Sequence, residues 1–323
     1  MSFTAGDVGA ALGTPVRGLD VLETFAASAA DVARLQVRTA GADLTVIAKL
    51  ATGDGVAAAR REVQFFEQLA PGWSHPAPQY LGAHDTGNAV LLLTEDLAQT
   101  GYRVVGTAVS DEQLYGAIDV IAGVHAHFWN CTDTPEFEAS VTSSAQAWPP
   151  DVITRHALAV REAADEFFAR TTELERSERA VLDEVLASWE PQFQARVAGR
   201  QHLTLIHGDF HFLGNVFFTA GDPRPKVIDW SELKPGLAPH DLAYSLSALP
   251  SRQADAADLL RHYWKALDIP DYSWELCSWD FRFSLFSNLF QSVFQQSVKW
   301  YRASLTALYP GLRPNPGSSD KTT

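Results

Sequence analysis

The sequence predicts an α+β fold in two lobes, a small N-terminal lobe built on a β-sheet with one helix and a larger lobe that is mainly helical. Apolar, strand-like segments fill much of the first 97 residues, whereas helical periodicity dominates after residue 111. Three short apolar segments, at 203–206, 216–218 and 226–228, interrupt the helical pattern and predict hairpin strands in the second lobe. With 323 residues, the chain is long enough to bury a core in each lobe.

The N-terminal lobe is predicted to span residues 1–97 and to end where the chain crosses to the second lobe. A helix is predicted at 56–69, because Val63, Phe66 and Leu69 recur on one side. The predicted strands of this lobe are short and apolar, and they lie at 16–26, 32–39, 44–50 and 89–93.

The C-terminal lobe is predicted at 98–310, and residues 311–323 form a Pro-, Gly- and Ser-rich tail that we expect to be disordered. His125 and His127 lie two residues apart and point to different sides of a predicted helix, so we interpret them as core or capping residues and not as metal ligands. The predicted helices of this lobe lie at 111–128, 155–169, 173–197, 254–267 and 279–301.

The composition favours a soluble, cytoplasmic enzyme that acts on a small molecule. A net charge of −14 argues against a nucleic-acid partner, since binding to a phosphate backbone needs clustered Lys and Arg. The two cysteines form neither a disulfide framework nor the spacing of a zinc site. The N-terminus has no secretory pattern, and no run of about eighteen apolar residues predicts a membrane span or a membrane partner. The oligomeric state stays open.

The residues with the clearest chemical meaning follow the short strands of the second lobe. Asp209 and Asn215 lie between the first two of these strands, and Asp229 follows the third. Phosphoryl transfer from ATP needs one carboxylate that orients a hydroxyl group and accepts its proton, and it needs an amide oxygen and a carboxylate that hold magnesium. Asp209, Asn215 and Asp229 fit these three roles in chain order.

This segment resembles the catalytic loop and the metal-binding aspartate of the aminoglycoside phosphotransferase and choline kinase group, the small-molecule relatives of protein kinases. The His-Gly-Asp loop of that group matches 207–209, its Ile-Asp-Trp element matches 228–230, and its Asp-Leu-Ala element matches 241–243. The resemblance covers roughly residues 15–310. It implies a bilobal, protein-kinase-like fold with ATP and Mg²⁺ as cofactors.

The loop departs from the family pattern at one point. Five residues separate Asp209 from Asn215, whereas the group usually has four. We expect the loop to bulge by one residue, with Gly214 adopting backbone angles that other residues avoid. His207 is expected to support the backbone of this loop.

The N-terminal lobe should supply groups that bind the nucleotide. Lys49 lies on a predicted strand similar to the Val-Ala-Ile-Lys strand of protein kinases, whose lysine contacts the α- and β-phosphates. Glu62, on the following helix, is placed to pair with Lys49. Ser28, in the link between the first two strands, is expected to contact phosphate.

The crossing between the lobes is expected to bind the base of the nucleotide. Glu95 and Leu97 lie there, in a segment that resembles the crossing of the ecdysteroid-kinase-like branch. The expected contacts are made by the backbone, so the side chains leave the choice between ATP and GTP open.

A competing pattern overlaps the turn before the predicted helix. Residues 53–58 satisfy the dinucleotide-binding pattern G-x-G-x-x-A after a strand and before a helix. The acidic residue that should follow about twenty positions later, to bind a ribose, is missing. The sequence therefore disfavours a dinucleotide site here.

The hydroxyl acceptor should bind near the catalytic loop and the C-terminal helices. His211 lies close to where an acceptor would approach Asp209, and Asn288 lies on a C-terminal helix among aromatic residues. Antibiotics, amino alcohols, sugars and other alcohols are all acceptors within the resembling group, and the sequence does not choose among them.

The predicted function is transfer of the γ-phosphoryl group of ATP, with magnesium, to a hydroxyl group of a small molecule. One alternative is a metal-dependent phosphoesterase, in which His207, Asp209 and His211 would join Asp229, His240 and Asp241 as metal ligands. The second alternative is a kinase-like binding protein without catalytic activity. It is disfavoured because all the polar catalytic positions are filled.

Overall fold

The computed structural model describes residues 3–27, 29–131 and 148–308. Its N-terminal part contains one antiparallel sheet in the order β1-β2-β3-β5-β4. The five strands are β1 (Gly18–Phe25), β2 (Asp31–Arg38), β3 (Asp43–Thr52), β4 (Tyr80–Asp85) and β5 (Ala89–Glu95).

Alternation of side chains along the strands explains how this sheet is covered. On β2, Leu35 and Val37 are fully buried, and on β3 Val46 is buried beside them. They pack in one hydrophobic cluster with Val8 of helix α1 (Ala5–Leu12). Neither α1 nor β4 was predicted, whereas the other four strands and the α+β class are confirmed.

The helix after β3 is α2 (Val56–Gln64), and a π-helical turn (Phe65–Leu69) continues it over the full predicted length. The glycines before α2 have structural reasons that need no dinucleotide. Gly53 has a left-handed φ of 56°. A Cβ atom on Gly55 would lie 2.1 Å from the carbonyl oxygen of Ala29, so the chain between β1 and β2 packs directly on this turn.

Seven helices of the described residues lie in the second lobe. They are α3 (Asp111–His127), α4 (Pro150–Arg170), α5 (Arg176–Val197), α6 (His240–Ser247), α7 (Ala256–Leu267), α8 (Trp274–Phe294) and α9 (Val298–Leu308). The prediction of one helix at 279–301 is wrong, because Gln296 has a φ of 51° and ends the helical geometry between α8 and α9. None of the helices in the described ranges is long and apolar enough to cross a membrane.

Two small antiparallel sheets carry the catalytic-looking segments. One has the order β6-β8-β9, and the other pairs β10 with β7. Their strands are β6 (Arg103–Val104), β7 (Leu203–Ile206), β8 (Val216–Thr219), β9 (Asp222–Val227) and β10 (Lys234–Leu237). The three hairpin strands predicted from the sequence correspond to β7, β8 and β9, and β10 was not predicted.

Aromatic packing fastens the end of α2 to the segment after β9. The rings of Phe65 and Trp230 are stacked at 4.1 Å with an angle of 2° between their planes, and neither residue is exposed. Arg61 of α2 also donates from Nε to the carbonyl oxygen of Ser231 at 2.8 Å. The helix of the first lobe is therefore held directly against the segment that follows β9 in the second.

Candidate active site

The loop between β7 and β8 is supported by a buried histidine. His207 Nε2 lies 2.9 Å from the carbonyl oxygen of Ile228, and its Nδ1 lies 3.2 Å from the backbone nitrogen of Asp209. A neutral imidazole satisfies both contacts by donating from Nε2 and accepting at Nδ1. The partners of both ring nitrogens are backbone groups of the loop and of the segment before Asp229, which is the supporting position predicted for His207.

A second buried group holds the start of the loop. Asp241, the first acidic residue of α6, accepts from the backbone nitrogens of His207 at 2.7 Å and of Gly208 at 2.9 Å. Its Oδ2 also lies 3.0 Å from Nε2 of His125, whose Nδ1 contacts the hydroxyl of Tyr263 at 2.7 Å. Burial alone would raise the pKa of Asp241, but the hydrogen bond and charge of His125 lower it well below the ordinary range. His125 is thus a core histidine, as predicted.

Asp209 points its carboxylate toward three neighbours. Its Oδ2 accepts from Nδ2 of Asn215 at 2.8 Å, and Nε2 of His211 lies 3.7 Å from the same oxygen. Its Oδ1 accepts from the hydroxyl of Tyr244 at 2.7 Å. The side chain of Asp209 is 29% exposed, so a molecule in the cleft can reach it.

The longer loop is accommodated differently from the expectation. Gly214 does not have a positive φ, so the predicted unusual backbone angles are wrong. The backbone nitrogen of Asn215 instead donates to the carbonyl oxygen of His211 at 3.2 Å, closing one helical turn that absorbs the extra residue. Gly214 lies close to His211, since a Cβ atom there would lie 3.1 Å from Cε1 of His211, a tight contact that would require the ring to shift by a few tenths of an ångström.

An ion-pair network joins the two lobes at Lys49. The ammonium of Lys49 lies 2.7 Å from Oε2 of Glu62 and 2.5 Å from Oδ1 of Asp229, which is 180 residues away in sequence. Burial would lower the pKa of Lys49, but the charges of Glu62 and Asp229 raise it above its ordinary value. Lys49 is therefore a permanent cation at neutral pH.

The two carboxylates of this network differ in exposure. Glu62 is almost fully buried, and its Oε1 accepts from the backbone nitrogen of Trp230 at 3.2 Å. Burial raises the pKa of Glu62, and the charge of Lys49 opposes that rise. Asp229 is 35% exposed, and Lys49 lowers its pKa against the effect of burial. Asp229 also has left-handed backbone angles, φ 63° and ψ 63°, which a residue with a side chain adopts at an energetic cost and often at functional sites.

Asn215 and Asp229 are the residues of this region whose side chains could hold a magnesium ion. Because Nδ2 of Asn215 is bound to Asp209, its amide oxygen is left to face other groups. The backbone nitrogen of Ile228 donates to the carbonyl oxygen of Asn215 at 3.0 Å, so the segment that carries Asp229 runs beside Asn215. An amide oxygen and one carboxylate are ligands that Mg²⁺ accepts together with water and phosphate.

The same geometry weakens the phosphoesterase alternative. Within the described ranges, no group of three or more His, Cys, Asp or Glu side chains is arranged to hold a metal ion. His207 and Asp241, two of the ligands that this alternative requires, are occupied by the loop backbone and by His125.

The predicted base-binding segment lies at the end of β5. The backbone nitrogen of Glu95 donates to the carbonyl oxygen of Gln79 at 2.9 Å, and Oε1 of Glu95 accepts from the backbone nitrogen of Gln79 at 2.8 Å. Leu97 begins a short 3₁₀-helix (Leu97–Thr100), whose cap is the side chain of Asp96. The first N–H groups of a helix have no partner within it, which suits Leu97 for a backbone contact. Ser28 lies outside the described residues.

A cavity of about 170 Å³ opens beside Asp209 and reaches toward α8. Asn288 lies in its wall and is 1% exposed; its Nδ2 donates to the carbonyl oxygen of Ala243, while its buried Oδ1 has no partner within the described residues. His211 is beside Asp209 but is not part of the described lining. The lining also includes five aromatic side chains and one carboxylate, which are Trp148, Trp189, Phe193, Phe290, Tyr244 and Asp209.

The imidazoles in the wall of the cavity are neutral at neutral pH. Burial lowers the pKa of His240 to about 4, and the nearby charge of Lys234 acts in the same direction. Burial and Lys234 also lower the pKa of His156. Glu232, the second carboxylate of the lining, has Arg61 at 3.5 Å. The wall of the cavity thus combines aromatic rings with charged groups, among them Asp209, Glu232 and Lys234.

Tyr244 was not predicted from the sequence. It follows Asp241 by three residues on α6, and residues at that spacing share one face of a helix. Asp241 contacts the loop that carries Asp209. Helical spacing from Asp241 is therefore the signal that would have placed Tyr244 near Asp209.

The family model of the phosphotransferase enzyme family matches residues 23–275. The chain belongs to this family. No curated protein matches the sequence with significance.

Three solved structures illustrate the similarity of fold. An aminoglycoside phosphotransferase from Streptomyces rimosus has 21% identity and a TM-score of 0.50, with 84% of this chain and 92% of that chain covered. An ethanolamine kinase from Plasmodium vivax has 13% identity and a TM-score of 0.57, with 90% and 81% covered. A ternary complex of an aminoglycoside phosphotransferase with streptomycin and ATP has 13% identity and a TM-score of 0.52, with 96% and 97% covered.

Family and fold together support a small-molecule phosphotransferase. The resemblance stated from the catalytic motifs is confirmed at this level.

Proposed function

We propose that the protein transfers the γ-phosphoryl group of ATP, with magnesium, to a hydroxyl group of a compact small molecule. The observation that carries the proposal is the joint placement of two groups of side chains. Lys49 is bound to Glu62 and Asp229, and Asp209 is bound to Asn215 of the same loop. Phosphoryl transfer depends mainly on positioning and charge stabilisation, and these two groups supply both.

Each residue has a distinct part in the proposed reaction. Asp209 orients the acceptor hydroxyl and takes its proton as the oxygen bonds to the γ-phosphorus and ADP leaves. Lys49 neutralises phosphate charge, and Glu62 fixes the position of its ammonium. Asn215 and Asp229 hold Mg²⁺, which neutralises charge on the β- and γ-phosphates when bound. The backbone at Glu95 and Leu97 binds the base, and Ser28 remains part of the proposal as a phosphate contact.

The proposed acceptor is limited by the cavity beside Asp209. A cavity of about 150 Å³ accommodates a molecule the size of benzene, whereas drug-sized ligands occupy about 300 Å³ or more. With about 170 Å³ and five Trp, Phe and Tyr side chains in its wall, the cavity suits one ring or a short chain. The unpaired Oδ1 of Asn288 then favours an acceptor that offers a second hydrogen-bond donor.

The test is an ADP-release screen with Mg·ATP against hydroxylated compounds in four groups: aminoglycosides, amino alcohols, sugars and compact aromatic alcohols. We expect turnover with a compact alcohol and at least a hundredfold loss in Asp209→Asn, about the usual scale for a lost general base, without loss of ATP affinity or fold. Near-normal turnover of Asp209→Asn with the correct acceptor would remove Asp209 from the mechanism.

Metal analysis and a phosphatase assay separate the alternatives. A purified protein with stoichiometric transition metal that hydrolyses phosphate esters without ATP would establish the phosphoesterase. Magnesium-dependent ATP binding without turnover on any acceptor, and without ATP hydrolysis, would favour a non-catalytic binding protein.

A further inference from the structure

Tyr244 occupies a hydrogen-bonding position on Asp209 that an acceptor hydroxyl needs. Its hydroxyl donates to Oδ1 at 2.7 Å, while Oδ2 is already bound to Asn215. Both Asp209 and Tyr244 line the cavity, so the bond forms on the side from which an acceptor approaches. A hydroxyl group is thus already bound to the proposed base when the cavity is empty.

The surroundings of Tyr244 make this contact persistent. Burial, together with the charge of Asp209, raises the pKa of Tyr244 above its ordinary value, so the phenol keeps its proton and remains a donor. Its ring packs edge-to-face with Trp300 at 5.9 Å. Helix α6 is anchored at its first turn by Asp241, which holds the catalytic loop.

We propose that Tyr244 acts as a surrogate acceptor, which occupies Asp209 until the true acceptor displaces its hydroxyl and so limits the hydrolysis of ATP by water. This inference rests on the proposed function. In the suppressed side reaction, the oxygen of water bonds to the γ-phosphorus, the bond from phosphorus to the bridging oxygen of ADP breaks, and Asp209 takes the proton of the water. Tyr244 is therefore a residue that discriminates between acceptor and water.

A structural role alone predicts a different result. If the hydroxyl of Tyr244 only orients Asp209, its removal lowers every reaction that needs Asp209. If it occupies the place of the acceptor, its removal raises the reaction with water, which no longer has to displace it. The two roles therefore predict opposite signs for one measurement that needs no knowledge of the acceptor.

The experiment measures phosphate release from Mg·ATP without acceptor in Tyr244→Phe. We expect a rise of about tenfold, which corresponds to ~1.4 kcal/mol and matches the net worth of one hydrogen bond to a charged group. The matched control is Tyr301→Phe, which removes a buried hydroxyl that donates to the carbonyl oxygen of Glu178 at 2.8 Å, and it should leave the rate unchanged. The double variant Asp209→Asn/Tyr244→Phe should show no rise. Thermal unfolding verifies that each variant is folded.

The outcomes separate the inference from the function. Suppose that ATP hydrolysis by the native protein depends on Asp209, and that folded Tyr244→Phe releases phosphate at an unchanged or lower rate. This result overturns the surrogate role and leaves the phosphotransferase function intact. A rise that persists in the double variant also overturns it, because the water then reacts without Asp209. If neither the native protein nor any of the variants binds or hydrolyses Mg·ATP, the proposed function fails and the inference fails with it.

Discussion

Replacement of Lys49 by methionine tests the ion-pair network through stability as well as through activity. The change keeps most of the length of the side chain and removes the ammonium that contacts Glu62 and Asp229. The two carboxylates should respond differently. Asp229 is 35% exposed and can be solvated, whereas the Glu62 side chain is only 5% exposed and keeps one weak contact, the backbone nitrogen of Trp230 at 3.2 Å.

The expected cost follows from the burial of Glu62. Removing one partner of a buried ion pair costs about 3–5 kcal/mol. Glu62 can avoid this by taking up a proton, and doing so at pH 7 from an ordinary pKa of about 4.3 costs about 4 kcal/mol at ~1.36 kcal/mol per pH unit. We therefore expect Lys49→Met to lower the free energy of unfolding by about 3–4 kcal/mol at pH 7.

The pH dependence has a definite sign. In Lys49→Met the pKa of Glu62 in the folded state is raised above its value in the unfolded state. The free energy of unfolding is therefore retained below the unfolded-state pKa of Glu62, and it falls as the pH rises toward and through the folded-state pKa. The destabilisation should shrink by up to about 1.4 kcal/mol per unit between pH 7 and pH 5. The double variant Lys49→Met/Glu62→Gln should recover most of the loss at pH 7, because a neutral amide needs no counter-charge.

Urea denaturation at pH 5, 6 and 7 measures these differences. Lys226→Met is the matched control, since Lys226 donates from Nζ to the carbonyl oxygen of Ala77 at 3.0 Å and has no such carboxylate pair among the described residues; it should cost about 1 kcal/mol with little pH dependence. Equal stability of the single and double Lys49 variants at pH 7 would show that Glu62 is not left unpaired and would refute the reasoning. Mg·ATP titration of the same proteins should show weaker binding in Lys49→Met, with a smaller effect in Glu62→Ala.

Three further predictions concern the metal, the loop and the cavity. Asp229→Ala should abolish magnesium-supported turnover in a protein that remains folded, and elemental analysis of the native protein should find no stoichiometric zinc; normal turnover in the variant contradicts the proposed metal role. Asp241→Asn should cost about 3 kcal/mol at pH 7, because one carboxylate accepts two loop amides and His125. Since the folded pKa of Asp241 is lowered, its stabilisation is present above about pH 4 and is lost as the pH falls, so native and variant proteins should converge in acid; parallel pH curves exclude this. Ser287→Phe fills the cavity wall and should raise the KM of a compact acceptor at least about tenfold with unchanged hydrolysis of Mg·ATP; an unchanged KM places the acceptor elsewhere.

Local patterns carried much of the information about fold and site. The strands that flank Asp209 and Asn215 are short apolar runs bounded by polar turns, and such runs are readable from a single sequence. Lys49 and Asp229 are 180 residues apart, yet each lies on or after a strand whose motif resembles a known family, and the structure joins them.

What the sequence did not disclose depends on contacts between elements. Spacing alone does not distinguish a loop that turns at Gly214 from one that closes through a bond between Asn215 and His211, and the structure has the second. The end of α8 at Phe294, just before the left-handed Gln296, falls within a helical pattern that continues beyond it. Tyr244 gains its meaning only from the partner that the fold places opposite its hydroxyl.

The stack of Phe65 on Trp230 bears on how such an enzyme could be switched. Trp230 directly follows Asp229, and Phe65 directly follows the last residue of α2, the helix that carries Glu62. Any outward swing of α2 that broke the Lys49–Glu62 pair would first have to separate two buried rings and expose both to water. Fully burying one large apolar side chain is worth about 1.5–3 kcal/mol, so this motion is thermodynamically costly. Control through displacement of that helix is thus disfavoured, and we expect the proposed phosphate-binding residues to stay together without an acceptor.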